Sequence, residues 1–161
     1  METIALTPSD IARFWSKVEK TDGCWLWQAA LVRKYGMFRL VQDGKQIMRK
    51  AHRIAYQLIK GPVPNGMRLD HTCHVEACVN PDHLRPVTAK QNSENRAGAN
   101  ANSKSGVRGV SWNRLSNKWI VTVGHNGKRY KGGDFTDLSE ATAAASALRA
   151  KLFTHSDADA A

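Results

Sequence analysis

LDHTCHVEACVNPDHLRPVTAKQNSEN, residues 69–95, packs an Asp-His pair, two cysteines, a further histidine and an asparagine-rich helix start into one short supersecondary unit. Cys73-x4-Cys78-x4-His83 puts three soft or borderline ligands in one loop. Cys24, which precedes Trp25 and Trp27 and has no other cysteine to pair with, can supply a fourth. Zinc takes four S and N ligands in a tetrahedron, and a closed set of this kind is a structural site whose thiolates contribute folding free energy directly. His74 is a rival ligand, but its adjacency to Cys73 makes joint ligation of one ion awkward.

With His83 on zinc, His71 is left free, directly after Asp70. The carboxylate suits a hard cation such as magnesium, and a neutral imidazole can take a proton from water. Asn92 and Asn95 on the following helix offer amide oxygens to the same cation. Hydrolysis of a phosphodiester asks for those parts: a base for the attacking water, and a cation on the phosphate and the leaving 3′ oxygen.

Around this stretch the chain is strongly basic. Its 161 residues carry 24 Lys and Arg against 14 Asp and Glu, a net +10, with a pI near 9.9, the footprint of a phosphate-backbone binder. The excess is spread over the molecule, with 15 basic and 9 acidic residues in 1–99 and 9 and 5 in 100–161. No window approaches the roughly 18 apolar residues of a membrane span, and the N-terminus lacks a charged head followed by an apolar run. These features predict a cytoplasmic protein. Three cysteines are an odd number for a disulfide framework and fit metal binding in a reducing compartment.

Outward from the central stretch, Thr7-Pro8-Ser9-Asp10 reads as a capped helix start, followed by Ile11, Phe14, Trp15 and Val18 at helical spacing. Residues 24–27, 35–40 and 46–48 read as strands, with Asp43-Gly44 as a hairpin turn. Ala51, Ile54, Ala55, Leu58 and Ile59 trace one helix face ended by Gly61-Pro62, leaving His52, Arg53 and Tyr56 off the stripe, where they read as a solvated edge or, beside a phosphodiester-cutting site, with Arg53 as a clamp on a phosphate. Residues 67–71 form a strand and residues 72–86 a long loop. Thr88 and Gln91 have capping-box spacing for a helix over 89–96. The small, polar run of residues 98–105 reads as a linker. Beyond it, residues 107–111, 118–124 and 128–135 form three strands with an Asn126-Gly127 turn, before an alanine-rich helix from Leu138 and a disordered tail over 154–161.

His71-Thr72-Cys73-His74-x3-Cys78-x-Asn80-Pro81-x-His83-Leu84, followed by Asn92, resembles the HNH (His-Me finger, ββα-metal) nucleases, especially the zinc-containing, phage-borne homing endonucleases. Cys24-Trp25-Leu26-Trp27, Tyr35-Gly36 and Ala51-His52-Arg53-x-Ala55-Tyr56 add to the likeness, which covers roughly residues 20–97. The resemblance implies His71 as general base, Asp70 and Asn92 as ligands of a catalytic Mg2+ or Mn2+ ion, and Arg53 near the scissile phosphate. It likewise implies Cys24, Cys73, Cys78 and His83 as ligands of a structural zinc. An alternative from the same family has Asn80 orienting His71 and His83 on the catalytic metal; the equal spacing of His83 with the two cysteines favours zinc.

Gly106-Val107-Arg108-Gly109-Val110-x-Trp112, Lys118-Trp119 and residues 132–135 resemble the ethylene-response-factor (APETALA-type) DNA-binding domain over about residues 104–153. That family lays its sheet in the major groove, which implies Arg108, Trp112, Arg114, Lys118, Trp119, Arg129 and Lys131 as DNA contacts; packing beneath the sheet is the other role open to the two tryptophans. The expected architecture is α+β: a zinc-stapled ββα-metal nuclease domain over 1–97, then a three-stranded antiparallel sheet packed on one helix over 106–153. The expected function is a metal-dependent DNA endonuclease acting on double-stranded DNA in a phage or bacterial setting, as monomer or homodimer. The rival is a regulator that keeps the fold only as a DNA-binding scaffold.

Overall fold

The computed structural model describes residues 4–96 and 98–156, a mixed α+β fold with antiparallel sheets. The chain divides into two compact units, Met1–Ala89 and Lys90–Ala161.

In the first unit, helix α1 (Pro8–Trp15) starts where Thr7 and Asp10 exchange bonds: the Thr7 hydroxyl accepts from the Asp10 amide at 3.1 Å, and the Asp10 carboxylate accepts from the Thr7 amide at 3.2 Å. Asp10 is held below the usual carboxylate range chiefly by Arg13 and then by Thr7. The helix stops at Trp15, so Val18, expected on its apolar face, instead opens β1 (Val18–Glu19) and pairs with Trp27 of β2 (Leu26–Trp27). Strands β3 (Leu31–Val32), β4 (Tyr35–Gln42) and β5 (Lys45–Lys50) form an antiparallel meander that leads into helix α2 (Ala51–Lys60). Phe14, Trp27, Phe38, Leu40, Ile54 and Val79 make the core between them. Gly36 is required here, because a Cβ would lie 2.7 Å from two ring carbons of Trp27.

After α2 the chain turns at Gly61 and Pro62 into β6 (Arg68–His71). The stretch expected as one loop over 72–86 is shorter, because its last part is strand β7 (Leu84–Val87), paired antiparallel with β6 in the register Asp70↔Arg85 and His71↔Leu84. Val63, Leu69 and Leu84 close this hairpin over Tyr56 of α2.

Helix α3 (Ala89–Glu94) runs from the last residue of the first unit into the second. In the second unit, β8 (Val110–Asn113), β9 (Lys118–His125) and β10 (Lys128–Phe135) form an antiparallel sheet in the order β10-β9-β8, with the Asn126-Gly127 turn where expected. Helix α4 (Leu138–Leu152), capped by the Asp137 carboxylate on the Ser139 and Glu140 amides, packs its Ala141 and Ala145 on Val110 and Val121. Thr154, at the start of the expected loose tail, donates its amide and its hydroxyl to Glu94 at 3.1 Å each. Residues 157–161 of that tail lie outside the described residues, as does Ala97.

Candidate active site and metal centre

The ligand atoms of Cys24, Cys73, Cys78 and His83 lie within 4.8 Å of one another. Cys24 is delivered by backbone stitching: the Val79 amide donates to the Trp25 carbonyl at 2.8 Å and the Trp27 amide to the Ala77 carbonyl at 3.1 Å. Asn80 completes the knuckle. Its side-chain amide donates to the Gly23 carbonyl at 2.8 Å while its oxygen accepts from the Asp82 amide at 3.0 Å, opening the 3-10 turn Pro81–His83 that sets the His83 ring. His83 Nδ1 sits 3.5 Å from Cys24 Sγ and 3.6 Å from Cys78 Sγ. Zinc bonds of about 2.3 Å to sulfur and 2.0–2.1 Å to nitrogen, at the tetrahedral angle, separate ligand atoms by roughly 3.5–3.8 Å, so the donor set and its spacing fit zinc. Burial pushes the Cys78 thiol up to about 12 and raises Cys73 as well, so a cation is what would make thiolates there. The expected four ligands come together, and Asn80 is engaged in the knuckle and not with His71.

His71, the last residue of β6, is 7% exposed. Its Nε2 lies 2.9 Å from the carbonyl oxygen of Cys78. A carbonyl only accepts, so Nε2 carries the proton and Nδ1 keeps the lone pair. Burial holds the imidazole below its ordinary pKa, against the opposing pull of the Cys78 carbonyl and of Asp70, so the ring is neutral at neutral pH. A neutral ring with a tethered Nε2–H is the form a general base needs.

Three residues around His71 and Asp70 have no site role in the sequence reading. His52, expected at a solvated edge of α2, is 4% exposed and stands edge-on to His71 with ring centroids 4.8 Å apart. Burial, then His71 and Lys50, lower its pKa to about 3. Tyr35 packs beside both rings, 5.7 Å from His52 and 6.1 Å from His71, with Lys50 Nζ 4.5 Å above its own ring. Arg85, opposite Asp70 in the β6–β7 register, donates Nε and a terminal nitrogen to Asp70 Oδ2 at 3.2 and 3.1 Å. This bidentate grip fixes a carboxylate that is only 12% exposed. Arg53 follows His52 in the first turn of α2 and is partly buried.

Residues 49–94 match the model of the HNH endonuclease family. The span holds Arg53, Asp70, His71 and Asn92, with three of the four cluster ligands. Over 81 residues the chain is 31% identical to Protein 3.8 of Escherichia phage T7, covering 50% of this chain and 66% of that protein. It is 35% identical over 74 residues to Protein 2.8 of the same phage, covering 45% and 48%. The chain thus spans about two thirds or less of these relatives. No solved structure matches it, and among the described residues no helix is long and apolar enough to cross a membrane.

In the second unit, the residues expected to meet DNA divide between two faces. Trp119 packs with the helix-side core, and Trp112, its partner across the β8–β9 ladder, meets it edge-on with ring centroids 4.9 Å apart. Strand alternation therefore puts both tryptophans on the α4 side, with Trp112 42% exposed. Lys118, Arg129 and Lys131 share the opposite face, since Arg129 pairs with Gly124 and Lys131 with Thr122. Arg114 is exposed in the β8–β9 turn. Arg108 is committed elsewhere: it donates to the carbonyls of Ser93, Glu94 and Arg96, capping α3, and lies 5.0 Å over the Phe153 ring.

Proposed function

We propose that this chain is a metal-dependent DNA endonuclease of the homing HNH type, hydrolysing phosphodiester bonds to 5′-phosphate and 3′-hydroxyl ends. The observation that carries the reading is His71: buried, neutral, its Nε2–H tied to the Cys78 carbonyl, at the end of a strand whose preceding residue is a clamped carboxylate. In this reading His71 Nδ1 takes the proton of the attacking water. Asp70, oriented by Arg85, and Asn92 would hold a divalent ion, magnesium or manganese, which when bound stabilises charge on the phosphate and the leaving oxygen. Carboxylate and amide oxygens are the donors such hard cations take. Arg53 binds a phosphate oxygen, and the Cys24, Cys73, Cys78, His83 set holds a structural zinc. The second unit holds duplex DNA through the cations of its open sheet face, Lys118, Arg129 and Lys131, together with Arg114.

Cleavage of supercoiled plasmid in magnesium, wild type beside His71→Ala, tests this. The expected result is nicking or linearisation by wild type and a loss of at least about a hundredfold in the variant, with zinc content and DNA binding kept. Tight binding without cutting by wild type, across divalent ions and varied substrates, would instead indicate a DNA-binding regulator.

A further inference from the structure

Among the described residues, three hairpins turn on two residues with positive φ. Two use residues suited to that backbone, Asp43-Gly44 (φ 51° and 72°) and Asn126-Gly127 (φ 50° and 73°). The third, joining β3 to β4, places Arg33 at φ 47° and Lys34 at φ 70°. Long side chains are disfavoured there, and strain of this kind collects where function requires it. Both cations are exposed, and among the described residues neither makes an ion pair.

The turn heads a wider surface. Residues 31–50 carry six cations against Asp43 alone; Arg33 and Lys34 lie in the turn and Arg39 and Lys50 on the outward side, while Lys45 and Arg49 alternate onto the side of Leu40 and Phe38. Because Phe38 and Leu40 point into the core, alternation turns Arg39 and Val41 outward, and Met48 stands opposite Arg39. Val41 and Met48 are 66% and 46% exposed. The surface is continuous with the candidate active site: Tyr35 directly follows the turn, lies beneath Lys50, and packs 6.1 Å from His71.

We propose that the Arg33-Lys34 turn and the outward side of β4 and β5 form a duplex-DNA contact surface of the nuclease unit itself, gripping the backbone of the strand presented to His71. The proposal rests on the nuclease reading for the identity of the polyanion. Continuity with His71 favours DNA over an anionic membrane, which a surface mixing cations with Val41 and Met48 would also suit.

The test is Arg33→Asn combined with Lys34→Gly in the full zinc-loaded chain, a change that relieves the turn and removes both charges. The melting temperature is expected to stay level or rise. Affinity for a short mixed-sequence duplex near 0.1 M salt is expected to fall at least about tenfold, and the slope of log K against log salt to become shallower by about 2. Unchanged affinity and slope would overturn the proposal, and a lower melting temperature would show that these side chains serve the fold. Undiminished DNA binding alongside lost binding to phosphatidylserine vesicles would reassign the surface to a membrane. Plasmid cleavage by wild type, run in parallel, separates the two readings: if wild type cuts and the variant binds as wild type does, only this proposal fails.

Discussion

Stripping the metal from the Cys24, Cys73, Cys78, His83 cluster is expected to unfold the first unit while the second, which has its own core around Val121 and Ala145, stays folded. At roughly 0.05–0.15 kcal/mol per residue, a unit the size of Met1–Ala89 has a net stability of about 4–13 kcal/mol. A structural zinc set contributes about 10–16 kcal/mol, as much as the whole. The rest of the unit cannot make up the loss, because Phe14, Phe38, Leu40 and Ile54 pack α1, β4 and α2, while among the described residues the segment between β6 and β7 adds only Val79 to that core.

The pH dependence has opposite signs with and without metal. Burial raises Cys73 and pushes Cys78 up to about 12. For whatever folded population lacks metal, this protonated-thiol stability is present below the ordinary thiol range and is lost as pH climbs toward that value, which adds to the unfolding. Metal uptake expels the thiol protons, so log affinity for zinc rises with pH, by up to about three per unit for three cysteines. The assay is a chelator titration followed by circular dichroism and by fluorescence of Trp25 and Trp27, beside Cys24, with plasmid cutting measured in excess magnesium. Cutting is expected to fall with zinc content, since the residue that gives the cluster a sulfur also holds His71 through its carbonyl at 2.9 Å. A metal-free chain with an unaltered melting curve, or a chelated one that cuts as before, would refute this.

His52→Ala is expected to lower kcat about ten- to a hundredfold with little change in KM, by freeing the His71 ring it packs against, and His52→Phe to restore most of the rate. Because His52 has its pKa lowered to about 3, the fold loses stability as pH falls below about 6.5, at up to about 1.4 kcal/mol per unit; acid titration of His52→Phe should show a shallower loss. Gly36→Ala drives a methyl into Trp27, itself packed by Phe14 at 5.2 Å and Phe38 at 5.9 Å, and is expected to cost about 1–3 kcal/mol in a denaturant melt. In the second unit, burial acts to raise the pKa of Glu94, but its bonds from Thr154 and the charge of Lys90 outweigh that and hold it low. The unit should therefore weaken as pH drops below about 4.5, and Glu94→Gln should remove that dependence in thermal melts.

What the sequence revealed and what it hid have physical causes. Asp43-Gly44 and Asn126-Gly127 announce their turns because those residues accept positive φ, whereas Arg33-Lys34 takes the same backbone with residues that do not advertise it, so nothing in the sequence marks β3. Strand β7 was masked by Pro86, which is tolerated because the β6–β7 ladder is only two strands wide. His52 was misplaced because one helical period describes one buried face, and α2 has two: Ile54 and Ala55 face the main core while His52 meets His71 of β6. The Cys3His cluster was legible from spacing and from the count of cysteines. The Asp70–Arg85 grip was not, since it exists only through the β6–β7 register. What no spacing conveys is the double use of Cys78. Its sulfur belongs to the Cys3His cluster and its carbonyl meets His71 Nε2, so the segment that a metal would rigidify also selects the tautomer of His71. In the proposed mechanism, that coupling is what would position the base on so small a hairpin. It also sets a demand on any attempt to move this site to another scaffold: the cluster would have to move with it.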